Sequence, residues 1–256
     1  MLDNILILIV SGLFSGLLAG ILGIGGGTVL VPLLVSLNYT PLQAVATSSL
    51  AIVITSLSGS IQNWRMGYLN WRQVLLLGIP AIITAQLGVK VANYLPDYIL
   101  LTAFGTFLIF NIFLGNLRRQ LIAKNSDLSL SNFSVKMAGL LTGAMGGFLA
   151  GLFGIGGGVI MVPLQMLLLK TTIKVAIQTS LGVIVITSIS STIGHAFSGN
   201  VLFTVGIILG LGGLVGAQIS TRFLPRLPDK VVSFCFYGML GILAVYIFIK
   251  AWMSYQ

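Results

Sequence analysis

The sequence predicts an all-α, polytopic membrane protein made of two inverted-topology repeats, and three observations predict it. The chain of 256 residues is 57% hydrophobic and only 7% charged, with a mean hydropathy of +1.08, whereas soluble domains carry about 25% charged residues. Apolar stretches of about 20 residues, the length that crosses a bilayer as a helix, recur along the chain. A glycine-rich segment also occurs twice, once in each half.

The repeat is clearest at two glycine clusters. GILGIGGGTVLVPL runs from Gly20 to Leu33 and GLFGIGGGVIMVPL runs from Gly151 to Leu164, with nine of fourteen positions identical at an offset of 131. Similarity continues through Ser48–Ser56 and Thr179–Ser188, and later through a Leu-Pro-Asp triplet in each half. Self-similarity over this length indicates a duplicated unit.

Each repeat contains one glycine-interrupted segment followed by three apolar spans. The predicted domain division is a first repeat over 1–116, a linker over 117–134 and a second repeat over 135–256. The interrupted segments cover 4–38 and 135–169. The predicted spans are 42–62, 72–92, 97–116, 174–195, 201–222 and 229–249.

The positions of Lys and Arg favour an interrupted segment that returns to the side on which it starts. Cytoplasmic loops of membrane proteins are enriched in these residues. If each interrupted segment crosses once, the 13 basic residues divide seven to six, but if each returns they divide eleven to two. The second arrangement places both termini outside the cytoplasmic (inner) membrane and the linker in the cytoplasm. It also gives each repeat an odd number of crossings, so the second repeat is inverted.

Two geometries allow such a return: a pair of full spans, or a re-entrant hairpin with its glycines near the midplane. Residues 28–38 would form a helix of about 16 Å. That is half of the roughly 30 Å hydrocarbon thickness, which favours the hairpin. The short helices beginning near Thr28 and Val159 would direct their N-termini to the membrane centre from opposite sides, and helix N-termini attract anions.

The duplicated glycines are therefore predicted to form part of an anion site, because glycine allows tight bends and close approach to the backbone. Close packing of membrane helices is the alternative explanation for glycine in such segments. The predicted backbone positions of the site are Gly25, Gly26, Gly27, Thr28, Gly156, Gly157 and Gly158.

Polar side chains within or at the ends of the spans complete the predicted site. They are Ser48, Ser49, Gln86, Thr179, Ser180, Gln218, Asn63 and His195. Hydroxyls and amides donate to anion oxygens, although the same groups also bond to helix carbonyls or to neighbouring helices. His195, the single histidine, is the candidate for protonation during transport, and a satisfied interfacial histidine is its alternative.

The composition disfavours several other functions. No Asp or Glu lies well inside a predicted span, which disfavours a cation pump or a carboxylate proton relay. One histidine and one cysteine do not provide a nucleophile–base set or a metal cluster, so neither an enzyme nor a cofactor is predicted. The net charge of +9 resides in short loops that orient helices, so no nucleic-acid partner is predicted. The expected partners are a small anion and the lipid bilayer, and the glycine faces permit a homodimer.

The duplicated GIGGG…VP motifs, the ATSSL and IQTSL stretches after them and the matched pair Asn63 and His195 carry a resemblance. Together they resemble the TauE/SafE family of sulfite exporters, also called the toluene-sulfonate uptake permease family and formerly DUF81. The resemblance covers nearly the whole chain. It implies a cytoplasmic-membrane permease or exporter for sulfite, thiosulfate or a sulfonate, with Gly23–Gly27 and Gly154–Gly158 as its motif positions. Only the resemblance implies sulfur.

The predicted function is a secondary transporter in which one repeat rocks against the other around a midplane anion site. The alternative is an anion or small-solute channel with the same site and no alternating access. Saturable counterflow would favour the carrier.

Overall fold

The computed structural model describes residues 2–123 and 132–255, and the regular structure in these two ranges is helical. The α-helices are α1 Leu2–Leu22, α2 Gly27–Ser36, α3 Pro41–Arg65, α4 Trp71–Tyr94, α5 Asp97–Ala123, α6 Asn132–Phe153, α7 Gly158–Leu168, α8 Ile173–Phe197, α9 Phe203–Phe223 and α10 Asp229–Tyr255. A 3₁₀ turn, Leu224–Arg226, lies between α9 and α10.

The predicted fold class, an all-α polytopic membrane protein, is confirmed. In the described part of the chain, eight helices are long and apolar enough to cross a membrane, and α2 and α7 are shorter. Six of the eight correspond to the six predicted spans. Several begin at a local cap: the Thr40 side chain accepts from the backbone N–H of Gln43 before α3, and Thr172 does the same for Val175 before α8. Such caps satisfy helix N–H groups that have no partner within the helix.

The first glycine-interrupted segment is a hairpin with unequal arms, which neither predicted geometry describes completely. α1 has 21 residues and α2 has 10, so they extend about 31 and 15 Å. The end of α2 lies beside the start of α1, because Ser36–Tyr39 line one cavity with Ile7 and Leu8. The chain therefore returns to the end of α1 at which it started, as the charge-based prediction requires.

Glycine stripes at four-residue spacing bring the first helix of each repeat against a helix of the other repeat. Gly12, Gly16 and Gly20 on α1 pack on α9, and a Cβ at Gly16 would collide with the backbone of Gly213. The matching stripe on α6 is Gly143, Gly147 and Gly151, which packs on α4. Small residues let helix backbones approach closely in membranes. The packing therefore does not follow the division of the chain into two repeats.

The long helices form two bundles, each with members from both repeats. The first bundle comprises α1, α3 and α9, and the second comprises α4, α6 and α8. The bundles meet where α3 crosses α8: Ser49 Oγ lies 3.1 Å from Ser191 Oγ, and Gly59 packs on Leu181. These two contacts show that α3 and α8, which are the matched helices of the two repeats, run antiparallel. Inverted repeats require their matched helices to run in opposite directions. The inversion of the complete repeats stays a prediction.

The α5 and α10 helices pack on each other, with Gly105 against Phe248. α5 also supports the second glycine segment, because Phe104 and Phe107 stack on Phe153 at centroid distances of 5.3 and 5.4 Å. Helix α5 continues to Ala123 and α6 begins at Asn132. Both ends of the predicted linker 117–134 are thus helical, and residues 124–131 lie outside the described residues.

Candidate functional site

The two glycine segments have matching backbone conformations. The φ angles are +67°, +71° and +82° at Gly23, Gly25 and Gly26, and +63°, +73° and +80° at Gly154, Gly156 and Gly157. Residues with a side chain rarely adopt this left-handed backbone conformation, so these positions favour glycine. Gly26 is the N-cap of α2 and Gly157 is the N-cap of α7. We call residues 23–27 the first tip and residues 154–158 the second tip.

The two tips contact each other directly. Gly27 packs on the carbonyl of Gly154 and the Cα of Ile155, and Gly158 packs on the carbonyl of Gly23 and the Cα of Ile24. Neither Gly27 nor Gly158 has room for a Cβ. This contact, called the tip contact below, is therefore closed in this structure, and both short helices begin at it.

Two isoleucines place the tip contact near the middle of the long central helices. Gly25 and Gly156 both lie against Ile52 and Ile184. Ile52 is close to the midpoint of α3 and Ile184 is close to the midpoint of α8. All four residues are buried. The N-termini of α2 and α7 therefore start level with the centres of α3 and α8.

Three buried hydroxyls hold carbonyl groups of the tips. Ser15 donates to Gly26 O at 3.0 Å, Ser48 donates to Gly154 O at 2.7 Å, and Thr187 donates to Gly156 O at 2.8 Å. Of the three donors, the sequence predicted only Ser48. Thr187 could have been singled out from the sequence, because the Thr-Ser pair at 187–188 matches the pair at 55–56 in the other repeat. Ser15 could not, since the matched residue of the second repeat is Gly146.

Five of the predicted side chains have protein partners. Their bonds are Ser48 to Gly154 O, Ser49 with Ser191 Oγ, Gln165 Nε2 to Ser180 Oγ at 2.9 Å, Gln86 Nε2 to Ser190 O at 2.6 Å, and Gln218 Nε2 to Ser58 O at 3.1 Å. In this structure these side chains bridge helices or support a tip, which was the alternative explanation for hydroxyls and amides.

Four predicted residues carry buried polar atoms without a hydrogen-bond partner. The atoms are Thr28 Oγ1, Asn63 Nδ2 and Oδ1, Thr179 Oγ1 and His195 Nδ1. Leaving such an atom unpaired costs about 1–3 kcal/mol, and most buried polar groups in proteins are paired. Thr28 lies in the first turn of α2, directly after the first tip. These atoms differ from those of the five side chains above in having no partner within the described protein.

Asn63 and His195 lie on opposite sides of the tip contact. Asn63 follows Ile52 on α3 and His195 follows Ile184 on α8, each by eleven residues, a distance of about 16 Å along each helix. Because α3 and α8 are antiparallel, these displacements point in opposite directions. His195 Nε2 lies 2.9 Å from Gly151 O, at the end of the α6 glycine stripe. One small anion at the tips cannot contact both residues, although the sequence placed them in one site.

Further unpaired buried atoms, which the sequence did not predict, lie near each of these residues. Ser60 Oγ and Gln62 Oε1 lie on α3 within one turn of Asn63, and Thr192 Oγ1 lies one turn before His195 on α8. Thr179 on α8 lies level with the C-terminal end of α3, because Gly59 of α3 packs on Leu181 of α8. We call Ser60, Gln62, Asn63 and Thr179 the Asn63 cluster, and Thr192 and His195 the His195 cluster. Ser60 and Thr192 are matched in the repeat, which was an available signal.

The sequence also gave no role to Gln165, a fully buried residue of α7. Its Nε2 donates to Ser180 Oγ, and its Oε1 accepts from Gln73 Nε2 at 3.4 Å. This network ties α7 to α8 and α4. Leu34 occupies the matched place on α2, so the first repeat has no equivalent amide there.

Comparison with known proteins decides the family. Residues 8–247, which include both tips and both polar clusters, match the family model described as Sulfite exporter TauE/SafE. The chain belongs to this family.

The relatives of this TauE/SafE protein are named as transporters. It is 30% identical to "Probable membrane transporter protein YunE" of Bacillus subtilis (strain 168), over 86% of this chain and 89% of the relative. It is 28% identical to "Probable membrane transporter protein MJ0441" of Methanocaldococcus jannaschii, over 94% of both chains. A "Probable membrane transporter protein" of Xylella fastidiosa (strain Temecula1) is 26% identical over 99% of this chain and 98% of the relative. No solved structure matches the chain.

The Ser48 hydroxyl is expected to stabilise the second tip in this TauE/SafE protein. Ser48→Ala leaves the buried Gly154 carbonyl without its 2.7 Å hydrogen bond and should lower the free energy of unfolding by about 1–3 kcal/mol. Ser56→Ala is the matched control, because Ser56 is equally buried and bonds only to carbonyls of its own helix. Thermal unfolding of the detergent-purified variants measures both effects. Equal losses in the two variants would contradict the role of Ser48.

Proposed function

We propose that this protein is a secondary transporter for a small sulfur oxyanion or sulfonate, which binds between the two tips. The family and the names of its relatives support membrane transport, and the family description supports sulfite. The observation that carries the proposal is the meeting of two helix N-termini, those of α2 and α7, at the tip contact. Helix N-termini bind anions through N–H groups and the positive end of the helix dipole.

The chemistry of the tips suits an oxyanion that binds reversibly. Glycines at the N-caps let an anion approach the backbone without steric hindrance from side chains. Thr28 adds a buried hydroxyl whose oxygen has no partner, so an anion oxygen accepting its proton satisfies it. Backbone and hydroxyl donors attract an anion without a fixed positive side chain, and a carrier has to release its substrate.

Alternating access in this proposal moves the two bundles rather than the two repeats. Backbone-to-backbone packing of α1 on α9 and of α6 on α4 joins helices of different repeats into single bodies. A tilt of the first bundle against the second would separate the tips, which are closed in this structure. The Asn63 cluster and the His195 cluster then face the two entrances, where their unpaired atoms can bind a passing anion or water.

Orientation and coupling belong to the same proposal. The eleven-to-two division of basic residues supports a cytoplasmic linker, outside termini and a location in the inner membrane.

His195, with its unpaired Nδ1, is the proposed site of protonation during transport. A homodimer stays a prediction from the sequence.

Ligand-dependent thermal stability of the detergent-purified protein tests the anion site. A panel of sulfite, thiosulfate, sulfate, sulfoacetate, acetate and chloride, plus taurine, should contain a sulfur anion that selectively stabilises the fold. At one hundred times its dissociation constant that anion should add about 2.7 kcal/mol. Thr28→Val should weaken the response without unfolding the protein, because the matched residue of the second repeat is Val159.

Thr55→Val is the control for this experiment. Thr55 is also a buried threonine, but its hydroxyl bonds to Ala51 O of its own helix at 3.0 Å. The control should retain the full response to the anion. Equal stabilisation by chloride, acetate and the sulfur anions, or an unchanged response in Thr28→Val, would contradict the proposed site.

Counterflow in proteoliposomes separates the carrier from the channel that the sequence left as an alternative. Unlabelled anion inside the vesicles should accelerate uptake of the labelled anion if binding and alternating access are coupled. The closed tip contact favours the carrier, because it leaves no open path between Gly27 and Gly154 or between Gly158 and Gly23.

A further inference from the structure

We propose that Arg222 and Arg226 bind the phosphate of an anionic phospholipid, at a site separate from the tip contact. The two arginines line a cavity of about 290 Å³ at the end of α9, together with Ile219 and Phe223. The spacing of these four residues places them on one face of α9 and of the 3₁₀ turn that follows it. The cavity thus combines two guanidinium groups with two apolar side chains.

Among the side chains that the structure describes, no carboxylate neutralises the positive charge of this cavity. Over residues 5–114 and 135–253, whose side chains the structure describes, neither arginine has a carboxylate within salt-bridge distance. Asp229, which follows them in sequence, pairs instead with Lys174 at 3.5 Å. Lys174 also donates to the carbonyl of Pro225 at 3.1 Å. These two bonds hold the turn that carries Arg226. They also pair Asp229, the acidic residue nearest to the arginines in sequence, with Lys174.

The apolar half of the cavity identifies a lipid rather than a free ion as the occupant. Ile219 and Phe223 are 44% and 51% exposed, and each lies three residues before one of the arginines, at the end of a helix that has the length and composition of a membrane span. An acyl chain can lie along these two side chains while the phosphate accepts hydrogen bonds from the guanidinium groups, which suit phosphate geometry. Free phosphate would leave the apolar pair exposed.

The first repeat supplies an internal comparison. The matched positions on α4 are Leu87, Lys90, Val91 and Tyr94, which have the same spacing and two exposed apolar residues. This face carries one positive charge where the α9 face carries two. Lipid binding through a pair of guanidinium groups is therefore expected at α9 and not at α4.

Titration with two lipids of identical acyl chains, phosphatidylglycerol and phosphatidylcholine, tests the proposal on the delipidated full-length protein in neutral detergent. Binding is followed by native mass spectrometry. We expect Arg222→Gln combined with Arg226→Gln to lower the affinity for phosphatidylglycerol by about tenfold or more, the equivalent of one lost charge-assisted hydrogen bond. Lys90→Gln and Lys230→Gln should retain the wild-type affinity. Both arginines are exposed, so the variants are expected to fold, and their thermal unfolding is measured in parallel.

Three results would overturn the proposal. One is unchanged affinity in the double arginine variant. Another is an equal loss in Lys230→Gln, which would show general electrostatic attraction at this end of the protein. The third is displacement of the lipid by millimolar inorganic phosphate, which would identify a free anion as the ligand of the arginine pair.

Discussion

Gly27→Ala and Gly158→Ala are each expected to separate the two tips and abolish the selective response to a sulfur anion. Neither residue has a positive φ, so alanine causes no backbone strain at these positions. The added Cβ of Gly27→Ala would lie against the Gly154 carbonyl, and that of Gly158→Ala against the Gly23 carbonyl. The colliding atoms belong to the backbone and cannot rotate away as a flexible side chain can. One methyl group therefore acts directly on the geometry of the proposed site.

Overpacking of this kind lowers stability by about 1–3 kcal/mol. Thermal unfolding measures this loss, and the anion panel applied to the folded variant measures the site. Gly238→Ala on α10 is the control, because its Cβ meets nothing within 4 Å and alanine favours a helix interior over glycine by about 0.5–1 kcal/mol. Wild-type stability together with a retained anion response in Gly27→Ala and Gly158→Ala would contradict the tip contact.

Gly16→Ala and Gly147→Ala are expected to have the second largest effect, because each adds a methyl group between two helix backbones. A Cβ at Gly16 would collide with Gly213 on α9, and one at Gly147 would collide with Ala81 on α4. Each variant should lose about 1–3 kcal/mol of stability, since the helices have to move apart. Within each bundle, these small residues let two helix backbones pack directly on each other.

Chemical unfolding in mixed detergent micelles measures both variants and their combination. The two sites lie in different bundles and share no partner, so the double variant should lose the sum of the single losses to within about 0.5 kcal/mol. Gly241→Ala is the control, since its nearest neighbour is the Ile112 side chain at 3.9 Å. A double variant no less stable than either single variant would show that the glycine stripes are not independent contacts.

The sequence by itself determined the helical spans, the repeat and the two tips. Spans of apolar residues, caps such as Thr40 and left-handed glycines such as Gly26 depend on interactions within a few residues. The duplication also located the equivalent elements in the two halves. The family resemblance stated from the same motifs is confirmed by the match over residues 8–247.

The tertiary structure alone decided which residues meet. The sequence predicted Thr28 as a backbone position of the site and Ser48 as a hydroxyl donor to the anion. In the structure Ser48 instead supports Gly154, more than one hundred residues away, and Thr28 Oγ1 has no partner. The sequence placed Asn63 and His195 in one site, and the antiparallel crossing of α3 and α8 separates them. It placed α1 in the first repeat but did not show that a glycine stripe packs α1 on α9 of the second repeat. The physical reason is common to all three: the partner of a polar or small residue is set by the helix packed beside it. That neighbour is chosen by contacts between backbones far apart in sequence, which no local pattern records.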